Sequence, residues 1–109
     1  MKRLLALLIL VPMLDSAVEP AVAAKPAAVV APPTKEIVCR ACHGAAGAAP
    51  LMDLYPKLNG QNKGYLVSSL KAYKAGGRQG GMAGVMVGQA MSLSDADMDA
   101  LASYYSSQP

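Results

Sequence analysis

Apolar positions along this chain fall into three spacings, and each predicts a different element. From Leu4 to Leu14 the chain is apolar throughout except at Pro12, directly after the basic pair Lys2-Arg3. A basic start, an apolar run and then the small residues Ala21-Val22-Ala23-Ala24 make the pattern of an export signal. Residues 1–24 are therefore predicted to be a signal peptide cleaved after Ala24, with Ala23 the second choice. Read instead as an uncleaved anchor, the apolar run is too short, because a bilayer span takes ~20 residues. Residues 25–33 (Lys-Pro-Ala-Ala-Val-Val-Ala-Pro-Pro) carry no amphipathic period and predict a Pro/Ala-rich linker. The folded domain is expected to occupy 34–109.

Inside that domain the spacing becomes helical. Thr34 is a candidate N-cap for a short helix through Ile37 and Val38 into Cys39, and Pro32 and Pro33 bar its extension backward. Residues 44–61, punctuated by Gly44, Gly47, Pro50, Pro56 and Gly60, predict an ordered loop. Leu66, Leu70 and Tyr73 repeat at i, i+4, i+7 and predict a helix over 62–75, stopped by Gly76-Gly77. Residues 78–92 are Gly/Met-rich without a period and predict a second loop. Ser94-Asp95-Ala96-Asp97 reads as a capping box opening a last helix, with Met98, Leu101, Ala102 and Tyr105 as its inward stripe. Alternating strand patterns are absent. The fold class is all-α, with three or four short helices joined by Gly-rich loops, and loops of that length need something to wrap around.

Composition sharpens that expectation. The 109 residues include no Trp, no Phe and five Tyr, against seven Met and ten Gly, so side chains alone fill a core poorly. Net charge is +3, with no basic run beyond Lys2-Arg3, which does not suggest nucleic acid. Two Cys and one His exclude a disulfide-rich scaffold and a four-ligand zinc finger.

All three of those residues sit in Cys39-Arg40-Ala41-Cys42-His43, the spacing of covalent c-type haem attachment. One helical turn sets both thiols under the two porphyrin vinyl groups, and the next residue aims its imidazole at the iron. His43 is thus the candidate proximal ligand, and Gly44 lets the chain turn away beneath the ring. A dithiol oxidoreductase would need a βαβ context that the pattern lacks. A structural zinc site would need a fourth ligand. Met sulfur is the usual second axial ligand where no other His is present. Met98 belongs to the core stripe and Met52 is too close in sequence to His43, which leaves Met82, Met86 and Met91. Spacing alone does not choose among them.

From Val38 to Gln108 the sequence resembles the bacterial class I c-type cytochromes, in particular one half of the two-haem periplasmic members and their monohaem relatives. The resemblance is carried by Cys39–Gly44, Tyr55-Pro56-Lys57-Leu58-Asn59-Gly60-Gln61, Tyr65-Leu66, the Met-containing loop, and Leu93–Asp97 leading to Tyr104-Tyr105. It implies the small cytochrome c fold around one haem c bound through Cys39 and Cys42. In that family the Met ligand lies eight residues before the Ser opening the last helix, which from Ser94 is Met86. The family also sets a Pro carbonyl against the proximal His, a role the resemblance gives to Pro50. The departure is at the front, where Pro32-Pro33 stand in place of a longer first helix. The crossing with the last helix, and the packing of Tyr104 and Tyr105, should differ accordingly.

Filled axial positions leave the iron no room for substrate, so the expected function is one-electron transfer in the periplasm rather than catalysis. Leu54, Leu58, Leu66, Leu70, Val85, Leu93 and Leu101 are the expected haem or core contacts. Lys57, Lys63, Lys71, Lys74 and Arg78 are the basic groups expected near an exposed haem edge, where they would steer acidic redox partners. The resemblance implies respiratory partners, an oxidase or a quinol-oxidising complex, served by a monomer that meets the membrane only through a partner or an uncleaved signal. Two other classes remain: a labile-Met haem protein with gas-binding or peroxidase activity, and a haem-free dithiol or metal-binding protein.

Overall fold

The computed structural model describes residues 30–109, so the expected signal peptide and most of the expected linker lie outside the described residues. Four helices follow one another: α1, Glu36–His43; α2, Lys63–Lys74; α3, Ala83–Ala90; and α4, Asp95–Ser106. A single 3-10 turn, Ala45–Gly47, follows α1. The described residues contain no strand, and the fold class is all-α as the pattern predicts.

α1 begins later than the sequence suggested. Thr34 lies in a turn closed by the Glu36 N–H on the Pro33 carbonyl at 2.9 Å, and Lys35 takes the N-cap position. The Lys35 side chain reaches away from its own helix, to Asp97 Oδ2 at 2.7 Å and the Ser92 carbonyl at 2.8 Å. α2 lies within one residue of expectation at each end. The Lys74 ammonium bonds the Leu93 carbonyl and ties the end of α2 to the approach to α4.

The segment 78–92 is not a loop throughout, because Ala83–Ala90 forms α3. Gly84 and Gly88 dilute its apolar period and carry a helix penalty of ~1 kcal/mol each. Packing against α2 stabilises the helix in spite of them.

α4 opens with the expected capping box, Asp97 N–H on Ser94 Oγ at 3.1 Å and Ser94 N–H on Asp97 Oδ2 at 2.9 Å. The core is built mostly on this helix. Met98, Leu101, Ala102, Tyr104 and Tyr105 are buried with Leu66 of α2 and Leu93, while Cys39, Leu58, Val67 and Leu70 pack around them. α1 adds almost no buried apolar surface, since Ile37 and Val38 stay exposed. Its tie to α4 is polar: the Tyr105 O–H donates to Glu36 Oε1 at 3.1 Å in a buried contact. Behind Tyr105, Gly47 is hemmed in so closely that an added Cβ would stand 2.7 Å from Leu58 Cβ.

Candidate functional site

The second half of α1 carries Cys39, Cys42 and His43 at i, i+3 and i+4, so all three project to the same side. They line an open cleft of about 650 Å³. α2 contributes Leu66, Leu70 and Tyr73 to it, α3 contributes Val85, Met86 and Gln89, and α4 contributes Leu101, Ala102 and Tyr105. The 54–58 loop closes another side through Leu54, Tyr55, Pro56 and Leu58. Leu93, expected as a haem or core contact, lies in the core and not on the cleft.

His43 is buried, and its Nδ1 stands 2.7 Å from the Pro56 carbonyl. A carbonyl can only accept, so Nδ1 must carry the proton. The Nε2 lone pair is then the free donor of the ring. This corrects the assignment of that role to Pro50. The chain turns back immediately after α1, where Leu51 N–H bonds the Cys42 carbonyl at 2.8 Å, and the later Pro56 is the one that reaches the ring. Gly44 permits the turn with φ +81°. A Cβ there would meet the Ala49 carbonyl oxygen at 2.1 Å, an obstacle of neighbouring backbone.

Cys39 and Cys42 are not joined to each other by a disulfide, and each is partly buried. Burial first, and then the Glu36 carboxylate, push the Cys39 thiol above its usual range. Tyr105 is raised as well, by burial and then by Cys39 and Glu36, which keeps its hydroxyl a donor. Sequence reasoning passed over Glu36, which is 1% exposed. The signal available was its place one helical turn before Cys39, on the face that carries the motif.

Of the candidate methionines, Met82 and Met86 line the cleft, whereas Met91 and Met52 are exposed away from it and Met98 is fully buried in the core. Met86 arrives on α3 and His43 on α1, so thioether and imidazole enter the cleft from different helices. Among the expected basic groups, Lys57 and Arg78 border the cleft, and the Arg78 guanidinium lies 4.4 Å from the Tyr73 ring centroid. Lys63 instead pairs with Asp99 at 3.0 Å.

These residues fit a haem. Two cysteines one helical turn apart, an imidazole with its other nitrogen anchored and a soft thioether form the donor set that haem c requires. The walls are apolar and open, with Leu54 71% and Val85 44% exposed, a surface suited to a flat macrocycle. Among the described residues no helix is long and apolar enough to cross a membrane.

Residues 35–108 match the family described as Cytochrome c. The chain is 51% identical over 70 residues to cytochrome c-554(548) of Halomonas halodenitrificans, covering 64% of this chain and 83% of that protein. It is 42% identical over 80 residues to cytochrome c4 of Stutzerimonas stutzeri, covering 68% of this chain and 38% of that one. The thiosulfate dehydrogenase electron acceptor of Thiomonas intermedia is 41% identical over 83 residues, 76% of this chain and 37% of that relative. The chain thus spans most of the first relative and little more than a third of the other two.

Proposed function

This chain belongs to the cytochrome c family and holds haem c covalently, and we propose that it is a periplasmic one-electron carrier with His43 and Met86 as axial ligands. The observation that carries the reading is the shared cleft, reached by His43 from α1 and by Met86 from α3. When bound, the haem supplies a one-electron iron couple. Cys39 and Cys42 fix it by thioether bonds. His43, held by the Pro56 carbonyl at 2.7 Å, presents Nε2 in one orientation and with raised basicity. The Met86 thioether favours the reduced iron and raises the potential. His43 and Met86 would both hold the haem iron, and an iron so held would serve electron exchange rather than substrate binding.

Lys57 and Arg78 at the border of the cleft suit acidic partner surfaces. Respiratory partners, an oxidase or a quinol-oxidising complex, are part of the same proposal. So is export after cleavage at Ala24, supported by the Lys2-Arg3 start and the small residues 21–24. One relative's name makes that protein the electron acceptor of a dehydrogenase, in keeping with a carrier role here.

The ligand experiment compares Met86→Ala with Met82→Ala in the holoprotein. Met86→Ala should abolish the Met–iron charge-transfer band, turn ferric haem from low to high spin and lower the midpoint potential. Met82→Ala should leave all three unchanged. The reverse pattern would transfer the role to Met82, the other thioether on the cleft.

A further inference from the structure

Glu36 is a buried charge for which axial ligation and haem attachment have no use. Its residue is 1% exposed, and both carboxylate oxygens are engaged. Oε2 accepts from Arg40 Nε at 2.8 Å and Oε1 accepts from the Tyr105 hydroxyl at 3.1 Å. Arg40 and Tyr105 thus give the carboxylate the pairing and hydrogen bonding that a buried charge requires. The Arg40 side chain is 44% exposed, so water screens the cation more than the anion. The inner end of the pair is therefore net negative. Glu36 also stands one helical turn before Cys39, and Tyr105, which grips it, lines the same cleft as Cys39. The upward push of the carboxylate on the Cys39 thiol reports the same proximity.

We propose that Glu36 is a potential-setting residue: a fixed buried anion beside the Cys39 attachment point that holds the reduction potential of the bound haem down. An electron delivered by a partner removes one positive charge from the iron, and no proton or bond need move with it. A nearby anion in a low-dielectric setting stabilises the more positive, oxidised iron and so opposes that electron. Glu36 then works against the Met ligand, which favours the reduced form. It acts through the field in the cleft and is a positioning charge, not a ligand.

The inference rests on the one-electron haem reading but not on which Met binds. Spectroelectrochemical titration of the holoprotein tests it. Glu36→Gln, which keeps an acceptor for Tyr105, should shift the equilibrium three- to tenfold toward the reduced form. Tenfold corresponds to about 59 mV for one electron. Glu36→Leu should shift it in the same direction, with a lower Tm because Arg40 and the Tyr105 hydroxyl lose their acceptor. Glu36→Asp keeps the charge and should stay near wild type. A potential that fails to rise in the Gln and Leu variants, or rises equally in Asp, overturns the proposal, since a packing role would move thermal stability instead. A wild type without covalent haem or without a reversible one-electron wave would overturn the carrier reading itself.

Discussion

A methyl group at residue 44 would stand 2.1 Å from the Ala49 carbonyl oxygen, on a backbone whose φ is already +81°. Neither obstacle can rotate away, because both are main chain. Gly44→Ala should therefore destabilise the holoprotein by more than ~1 kcal/mol, the scale at which Ala in a positive-φ site becomes costly, read as a fall in Tm. An unchanged Tm would mean that the turn after His43 is looser than its geometry. The attachment motif was legible at this scale because covalent chemistry demands fixed spacing, and Cys39, Cys42 and His43 do line one cleft. The carbonyl partner of His43 was not legible. Pro50 and Pro56 are both followed by several loop residues, and only the path of the chain decides which carbonyl meets the ring. Glu36 escaped notice for a related reason: its partner Tyr105 is 69 residues away, beyond the reach of any local pattern.

Among the elements, the strength of the local signal decided what the sequence revealed. α2 and α4 have unbroken apolar stripes and clear stops or caps, and both lie close to where the spacing puts them. α3 carries Gly84 and Gly88 in eight residues, and its helix depends on contact with α2, so the sequence alone reads as a loop. α1 inverts the usual logic, since the side chain of its N-cap residue, Lys35, serves α4. Lys35 bonds Asp97, the residue that completes the capping box of α4. That contact first, and then the Ser94 backbone, lower the Asp97 carboxyl from 3.8 to about 2. A depressed carboxylate contributes stability that is full above its unfolded value and is lost as pH falls through the folded one. The extra thermal stability of wild type over Asp97→Asn should accordingly be constant above pH ~4 and vanish toward pH ~2. If the difference is the same at pH 6 and pH 2, Asp97 does not work as an ion.

For the whole molecule, the question is what holds α1 to the rest. The buried apolar residues are concentrated on α4, with Leu66, Ala90 and Leu93 beyond it, and none belongs to α1. α1 is joined to them by Cys39, by the Glu36–Tyr105 bond and by Lys35, contacts of which two are polar and one of these exposed. Net worth of such hydrogen bonds is only ~1 kcal/mol each, too little to fix an eight-residue helix that is marginal by itself. A macrocycle bonded to Cys39 and Cys42 and walled by Leu54, Leu66, Leu70 and Val85 would link α1 to α2, α3 and the 54–58 loop at once. It would also supply the large apolar surface that a chain without Phe or Trp lacks. The Cys39→Ala/Cys42→Ala double variant, produced without haem, should therefore show reduced far-UV circular dichroism and a broad, weakly cooperative melt. The holoprotein should melt sharply from a higher helix content. A haem-free chain equally helical and equally cooperative would locate the stability in the α2–α4 core instead, and would make the haem a passenger in a preformed fold.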